Sequence, residues 1–423
     1  MSPYDDTQHP ASHPPLLDLP SCPENVFQTP FPVSLATVSP PPHDVLPLHL
    51  PQLPSSQRTP IWANDPRIPY TLSTHIVPAA YWREDPDDTL PQAPNERQAK
   101  QMKEQTAVEA ETRLRELRQR AEQGKGEHKV LWLVFNRYVR EYDRTQQGGL
   151  TLFCAHATGS HKEAFEPTLA SLLSSRETQS LIQEIWVWDG VNHGDSALLN
   201  AGKLNSLFSW RNSARDILTF LIYYLPISCA VGSLPTHLPT VSEAEVTKRR
   251  TYGFYDPAQG KKSRTVVGIG HSYGGCVSTL AALSSPRPHN GKFNTNLFSL
   301  LILVDPVIIA PGDYASDITS YVRRTLLRRT TWPSRAAATE SFLKSPMYPR
   351  WDARVLELYL ESALYEDHTE KGIVRLKQPA ICEAIIYTDI MTGSPEAWVR
   401  LRRGELDKDV GLRWVVPGVG QPE

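Results

Sequence analysis

Thr265-Val266-Val267-Gly268-Ile269-Gly270-His271-Ser272-Tyr273-Gly274-Gly275-Cys276-Val277-Ser278 is the stretch from which the rest of the chain is read. Its first five residues are β-branched or small and predict a short buried strand; its last five are small and predict the start of a helix packed closely on a sheet. Between them stands Gly-x-Ser-x-Gly. A serine placed in so tight a strand-to-helix turn needs glycine on both flanks, because a Cβ there would collide with neighbouring backbone. The turn would lift the Ser272 hydroxyl to the carboxyl end of the sheet, above a helix N-terminus that favours negative charge. Ser272 is therefore the candidate nucleophile.

Strand and helix signals alternate on both sides of this turn. Upstream, residues 149–155 and 182–187 are short, nearly continuous apolar runs of the kind buried on both faces of a parallel sheet, and helical stretches follow at 164–174 and 210–224. Downstream come an apolar run at 298–304 and a last strand signal at 411–416. This order predicts an α/β fold with a mostly parallel sheet flanked by helices. Two further strands are expected earlier, at 74–82 and 130–135. Residues 95–126 form a charged helical insertion whose Met102, Val108, Leu114 and Leu117 are too sparse for a wide core stripe, so a solvated helix is expected. Residues 313–400, rich in Arg, Ala, Leu and Glu, read as a helical cap inserted between two sheet strands. Residues 1–62 read as a proline-rich arm, disordered or loosely draped on the domain, and 63–423 as the domain, since fifteen of the 37 prolines lie in the first sixty residues.

Composition narrows the partners. Forty-four basic against 46 acidic residues, a net charge of -2, give no electrostatic reason for nucleic acid or an anionic membrane, so a small molecule is the expected partner. The five cysteines lie far apart without CxxC pairs or histidines at metal spacing, which predicts neither a disulfide framework nor a zinc site and suits a reducing, intracellular compartment. No run approaches the ~20 apolar residues of a membrane span. The first residues lack a secretory pattern and the last four carry no peroxisomal address, so a soluble cytoplasmic protein is expected.

Acyl chemistry on a serine needs two backbone N–H groups aimed at the developing oxyanion. Tyr273, next after the serine, supplies one; Thr158 or Ala157, in Ala155-His156-Ala157-Thr158-Gly159 after the strand at 149–155, supplies the other. The blocks His156-Ala157-Thr158-Gly159-Ser160-His161-Lys162-Glu163, Asn192-His193-Gly194-Asp195-Ser196, Gly270 to Gly275 and Leu303-Val304-Asp305-Pro306-Val307 resemble α/β-hydrolases, in particular the fungal toxin-biosynthesis and peroxisomal lipase-like group. The resemblance implies an ester or related acyl hydrolase without metal or organic cofactor, a peroxisomal location as an alternative, and a mainly structural role for the Asp189-to-Ser196 segment.

A serine also needs a histidine base held by a carboxylate. Asp305 is the acid candidate, with Asp313 and Asp317 as weaker alternatives and Asp407 or Asp409 available only if the last loop folds back. The base belongs in a loop after the final strand, yet no histidine follows His368, so the chain reads as ending about one strand and one helix early. His368 reads as a surface residue and His271 as pointing away from Ser272, whereas His161 and His193 could approach from the loops. Two functions follow: a serine hydrolase of a small apolar acyl substrate, or a catalytically impaired relative or truncated gene product, lacking the triad histidine, that binds a ligand or partner.

Overall fold

The apolar runs pair into one twisted sheet. The computed structural model describes residues 37–83, 91, 93–94, 98, 100–120, 129–141, 149–204, 208–229, 234–285, 296–312 and 315–417. Its main strands are β1 (Tyr70–Pro78), β2 (Trp132–Arg140), β3 (Leu150–Ala155), β4 (Ile182–Asp189), β5 (Thr265–His271), β6 (Leu300–Val304) and β7 (Gly411–Val415), side by side in the order β1-β2-β4-β3-β5-β6-β7. β2 is antiparallel to both of its neighbours, and the five strands from β3 to β7 are parallel. Both faces are covered. In β4 the alternation sends Trp186 and Trp188 into the core on one side and Ile185 and Val187 into the core on the other. Each large side chain buried in this way contributes about 1.5–3 kcal/mol.

Helices fill the connections. α2 (Glu166–Ser174) covers one face through Leu169 and Leu173, and α3 (Trp210–Thr219) continues as a π-helical turn over Phe220–Tyr224. α4 (Tyr273–Leu283) is buried along its whole length, which its Gly, Ala, Ser and Cys content allows. Because β3 to β7 run one way, the loops that leave their carboxyl ends converge on a single edge: residues 156–161, 190–193, Ser272 and Asp305–Pro306. That edge is where an open α/β sheet offers space for a ligand.

Three expectations are corrected. α1 (Lys100–Arg120) is not a solvated helix: Ala107, Ala110 and Leu114 are buried, and Arg323 of α5 (Ala315–Leu327) pairs with the buried Glu111. Of the apolar residues singled out in the sequence, Leu114 is covered together with the two alanines, Met102 and Val108 are exposed, and the Leu117 side chain lies outside the described residues. The 313–400 insert is not purely helical. Among its described residues α5, the helix Arg335–Leu343, α6 (Ala353–Ser362) and α7 (Ala380–Thr388) accompany a small antiparallel sheet of Thr331–Trp332, Leu364–Glu366 and Val374–Leu376. α8 (Ile390–Arg402) leaves the cap and packs on the core, where Gly393 lies against Trp210 and its carbonyl accepts from Cys276. Of the two readings of the proline-rich arm, the described residues from 37 onward follow the draped one and not the disordered one. Arg58 forms an ion pair with the buried Glu166, Ile61 N–H donates to the same carboxylate, and Ser55 donates to Asp195. Proline removed the strand and helix signals there, but the arm is fixed by side-chain contacts instead. Residues 1–36 lie outside the described residues.

Candidate active site at the carboxyl edge of the sheet

Ser272 follows the last residue of β5 and precedes the first of α4, with φ 54° and ψ -117°. Positive φ is costly for a residue with a Cβ and is held here by backbone bonds. Its N–H donates to Val304 O on β6 (2.9 Å), and its carbonyl accepts from Gly275 N (3.0 Å) and Val307 N (3.2 Å). The flanking glycines are required as expected. A Cβ on Gly270 would stand 2.5 Å from Gly275 Cα, and one on Gly274 would strike the Ala155 carbonyl. The Gly274 approach also presses the start of α4 against the backbone of residues 155 and 156. Ser272 is half-buried, and among the described residues no side chain hydrogen-bonds its hydroxyl. The Tyr273 N–H, as the first of the helix, lies outside the helical ladder. Its ring is buried and stacks on His193, and its hydroxyl donates to Ser213 Oγ (2.5 Å).

The segment after β3 forms a turn in which Ser160 N–H donates to Ala157 O (3.1 Å), and Gly274 of α4 packs against the backbone of residues 155 and 156 that lead into it. Behind it, His156 accepts from Gly190 N–H through Nε2 (3.3 Å) and therefore carries its proton on Nδ1, which donates to Ala157 O (2.9 Å). Burial holds the His156 pKa down to about 3, so the ring is neutral. Gly159 has φ +78° and meets the carboxylate of Glu383 from α7. Tyr359 of α6 donates to Gly159 O (3.4 Å). Neither Glu383 nor Tyr359 was legible as a neighbour of this turn, because more than 190 residues separate each from it.

Asp305 directly follows β6, the strand beside β5, and is exposed with φ 40°. Its N–H donates to Val415 O (2.7 Å), and its charge acts on the His271 ring. The alternative carboxylates are elsewhere. Asp407 and Asp409 form the turn that precedes β7, at the amino edge of the sheet and opposite Ser272, where they act on Lys262. Asp317 is exposed in the first turn of α5, and Asp313 lies outside the described residues.

The histidines sort as their surroundings dictate. His368 is exposed in the turn between two short cap strands, and His271 is exposed on the strand next to Ser272. His193 is buried between His156 and Tyr273, and neither of its ring nitrogens has a hydrogen-bond partner among the described residues. Desolvation holds its pKa well below the histidine value. His161 is buried with Nδ1 on Glu163 (2.9 Å). Glu163 belongs to a buried charge network in which Lys162 Nζ reaches Glu163 (2.9 Å), Asp189 (2.9 Å) and Asp195 (2.5 Å), and Lys377 reaches Asp195 (2.7 Å). The expected structural role of residues 189–196 has its basis here: Asp189 accepts from Lys162 N and Asp195 N, and Ser196 ties the loop to Val134. A cavity of about 300 Å³ lined by Thr37, Val38, Leu218, Ile222, Arg250 and Ser284 lies at the opposite end of α4.

Comparison with known proteins bears on the fold and the family. A Penicillium roqueforti protein named type I acyl-CoA thioesterase mpaH is 25% identical over 296 residues, covering 68% of this chain and 49% of its own. The abhydrolase domain-containing protein AKT2 of Alternaria alternata is 33% identical over 126 residues, covering 29% of this chain and 44% of its own. The chain spans about half the length of the curated relatives it matches. Among solved structures, the peroxisomal alpha-beta-hydrolase Lpx1 of Saccharomyces cerevisiae superposes with a TM-score of 0.52 at 19% identity, covering 82% of this chain and 83% of that one, a likeness of fold. The sequence pattern of the Alpha/beta hydrolase family matches residues 152–420, well over half of the chain, running from within β3 through the serine turn to β7, and on that match the chain belongs to the alpha/beta hydrolase family.

Proposed function

We propose that the protein is a serine hydrolase of an ester or thioester bond in a small, largely apolar acyl substrate. The observation that carries this reading is Ser272, held at positive φ between β5 and α4 by backbone bonds to β6, at the edge where the loops after the parallel strands converge. Strain kept at a residue whose side chain makes no hydrogen bond of its own among the described residues is typical of a reactive position. In this reading the Ser272 oxygen attacks the acyl carbon while its proton passes to a base. The N–H groups of Tyr273 and of Thr158 or Ala157 hold the oxyanion, and the leaving alcohol or thiol departs with a proton. Water then hydrolyses the acyl-serine by the same route. Asp305, one residue beyond β6 and next to the serine turn, is the proposed acid that orients the base. Relatives named as thioesterases favour a thioester among the possible acyl bonds. The Saccharomyces relative named as peroxisomal supports that location as an alternative to the cytoplasm.

A second reading keeps the fold and the ligand site without turnover. It is favoured by the placement of the histidines, since none in the described residues is hydrogen-bonded to Ser272 or to Asp305. One experiment separates the two. A fluorophosphonate probe labels the folded wild-type protein and not Ser272→Ala if the serine is activated, and thioester hydrolysis is followed by thiol release. Folded protein that resists the probe supports the second reading.

A further inference from the structure

We infer that Glu383, neutralised by Arg328, is a positioning residue that locks the oxyanion turn to the cap, so that the hole is complete only when the cap is seated. The inference rests on the serine-hydrolase reading for its kinetic consequence, but the contact itself is independent of it. Gly159 follows Thr158 and takes φ +78°, and its Cα faces the Glu383 carboxylate so closely that a Cβ there would lie 3.1 Å from Oε1 and 3.3 Å from Cδ. Tyr359 donates to the Gly159 carbonyl from a second cap helix. Two groups of the insert thus meet the turn at one residue, the Glu383 carboxylate packing against the Cα of Gly159 and Tyr359 bonding its carbonyl.

The charge of Glu383 needs explanation, because a bare carboxylate beside a developing oxyanion would oppose it. Arg328, next after α5, supplies the explanation with Nη2 2.6 Å from Oε2, and it is flanked by Tyr348 and Tyr359. Burial by itself lowers the Arg328 pKa, but Glu383 and the two tyrosines outweigh it, so the guanidinium stays charged. Glu383 is almost fully buried, and the Arg328 guanidinium is the cation that faces it. The helix that bears it is tied to the sheet loops as well, since Asn192 Nδ2 donates to Cys382 O (2.8 Å). One ion pair thus joins α7 to the end of α5, with the turn after β3 packed against its carboxylate.

The arrangement makes a prediction about sign that packing alone does not make. Using the full chain, kcat and KM for an acyl thioester are measured for wild type, Glu383→Gln, Arg328→Met, the double variant and Tyr359→Phe. Glu383→Gln is expected to lower kcat about tenfold with KM within about twofold, because the turn loosens without losing a donor. Arg328→Met leaves the carboxylate unpaired and is expected to lower kcat by about a hundredfold, and the double variant to recover to the level of Glu383→Gln. A double variant worse than either single one, or effects confined to KM, overturns the inference. Where a buried-charge variant does not fold, Tyr359→Phe decides, with a severalfold loss of kcat expected and wild-type kcat counting against the lock. Hydrogen exchange of a peptide covering residues 155–161 is read in parallel and needs no turnover. Faster exchange in Glu383→Gln or Tyr359→Phe supports the lock, and unchanged protection in the folded variants overturns it. Absence of probe labelling in wild type, together with accelerated exchange, would defeat the hydrolase reading and leave the lock standing.

Discussion

At the scale of single residues, Ser272 holds a conformation that serine avoids, with φ 54° and no hydrogen bond to its side chain among the described residues. Strain of this kind costs on the order of 1–3 kcal/mol. Ser272→Gly should therefore raise stability by about 1 kcal/mol, the relief of strain outweighing the entropy that glycine adds to the unfolded chain, while probe labelling is lost. Urea unfolding of the two proteins tests this, and a destabilised glycine variant would mean that the hydroxyl or the serine Cβ makes a contact of structural weight. The position was legible because its signal is local: five residues specify the turn, and the strand and helix around it are adjacent in sequence. Asp305 was legible for the same reason, as it ends the next strand and stands next to the serine turn by way of the β5–β6 pairing. The surroundings of Gly159 were not. Its neighbours Glu383 and Tyr359 come from a cap whose packing no short-range pattern encodes.

At the scale of elements, the strands that build the sheet were readable wherever an apolar run was continuous, because burial on both faces leaves no polar face to confuse the pattern. α1 was misread for the opposite reason. Among its described side chains the buried stripe is Ala107, Ala110, Glu111 and Leu114, and the small ones allow close approach to α5 without a hydrophobic signature. Leu114→Ala is accordingly expected to cost about 2–4 kcal/mol, in the range for truncating a buried leucine, whereas Met102→Ala on the exposed face should change stability by less than about 0.5 kcal/mol. Thermal unfolding of both variants distinguishes a packed helix from a solvated one. Equal, small effects would restore the solvated reading. The cap sheet was illegible on other grounds, since strands of two or three residues are too short to show alternation, and their pairing joins Thr331–Trp332 to residues more than forty positions away.

At the scale of the whole molecule, the serine edge is built on buried ionisable groups, and these couple its stability to pH. His75, His156 and His193 are each almost fully buried. Desolvation is the largest influence on all three: it brings His75 down to about 4 and His156 to about 3, and holds His193 well below its ordinary value. In the unfolded chain each histidine takes up a proton near pH 6.5. Between that pH and about 4 the unfolded state therefore binds more protons than the native one, so the stability these rings contribute is intact above pH 6.5 and is lost as the solution is acidified. Each contributes a slope of about 1.4 kcal/mol per pH unit well below 6.5, and three together are large against the 5–15 kcal/mol that separates a folded domain from its unfolded state. Depressed carboxylates such as Glu163 and Asp195 add the same sign, but only below about pH 4.5, so the loss between pH 6.5 and 5 belongs to the histidines. His193→Phe isolates one of them, because the ring sits between His156 and Tyr273 and neither nitrogen is hydrogen-bonded among the described residues. Urea unfolding at pH 7.5 and at pH 5.5 should show the difference between the two conditions shrinking by about 1.4 kcal/mol in that variant. An undiminished difference would mean that His193 is protonated in the native protein, and with it that the core beneath the serine turn carries a charge.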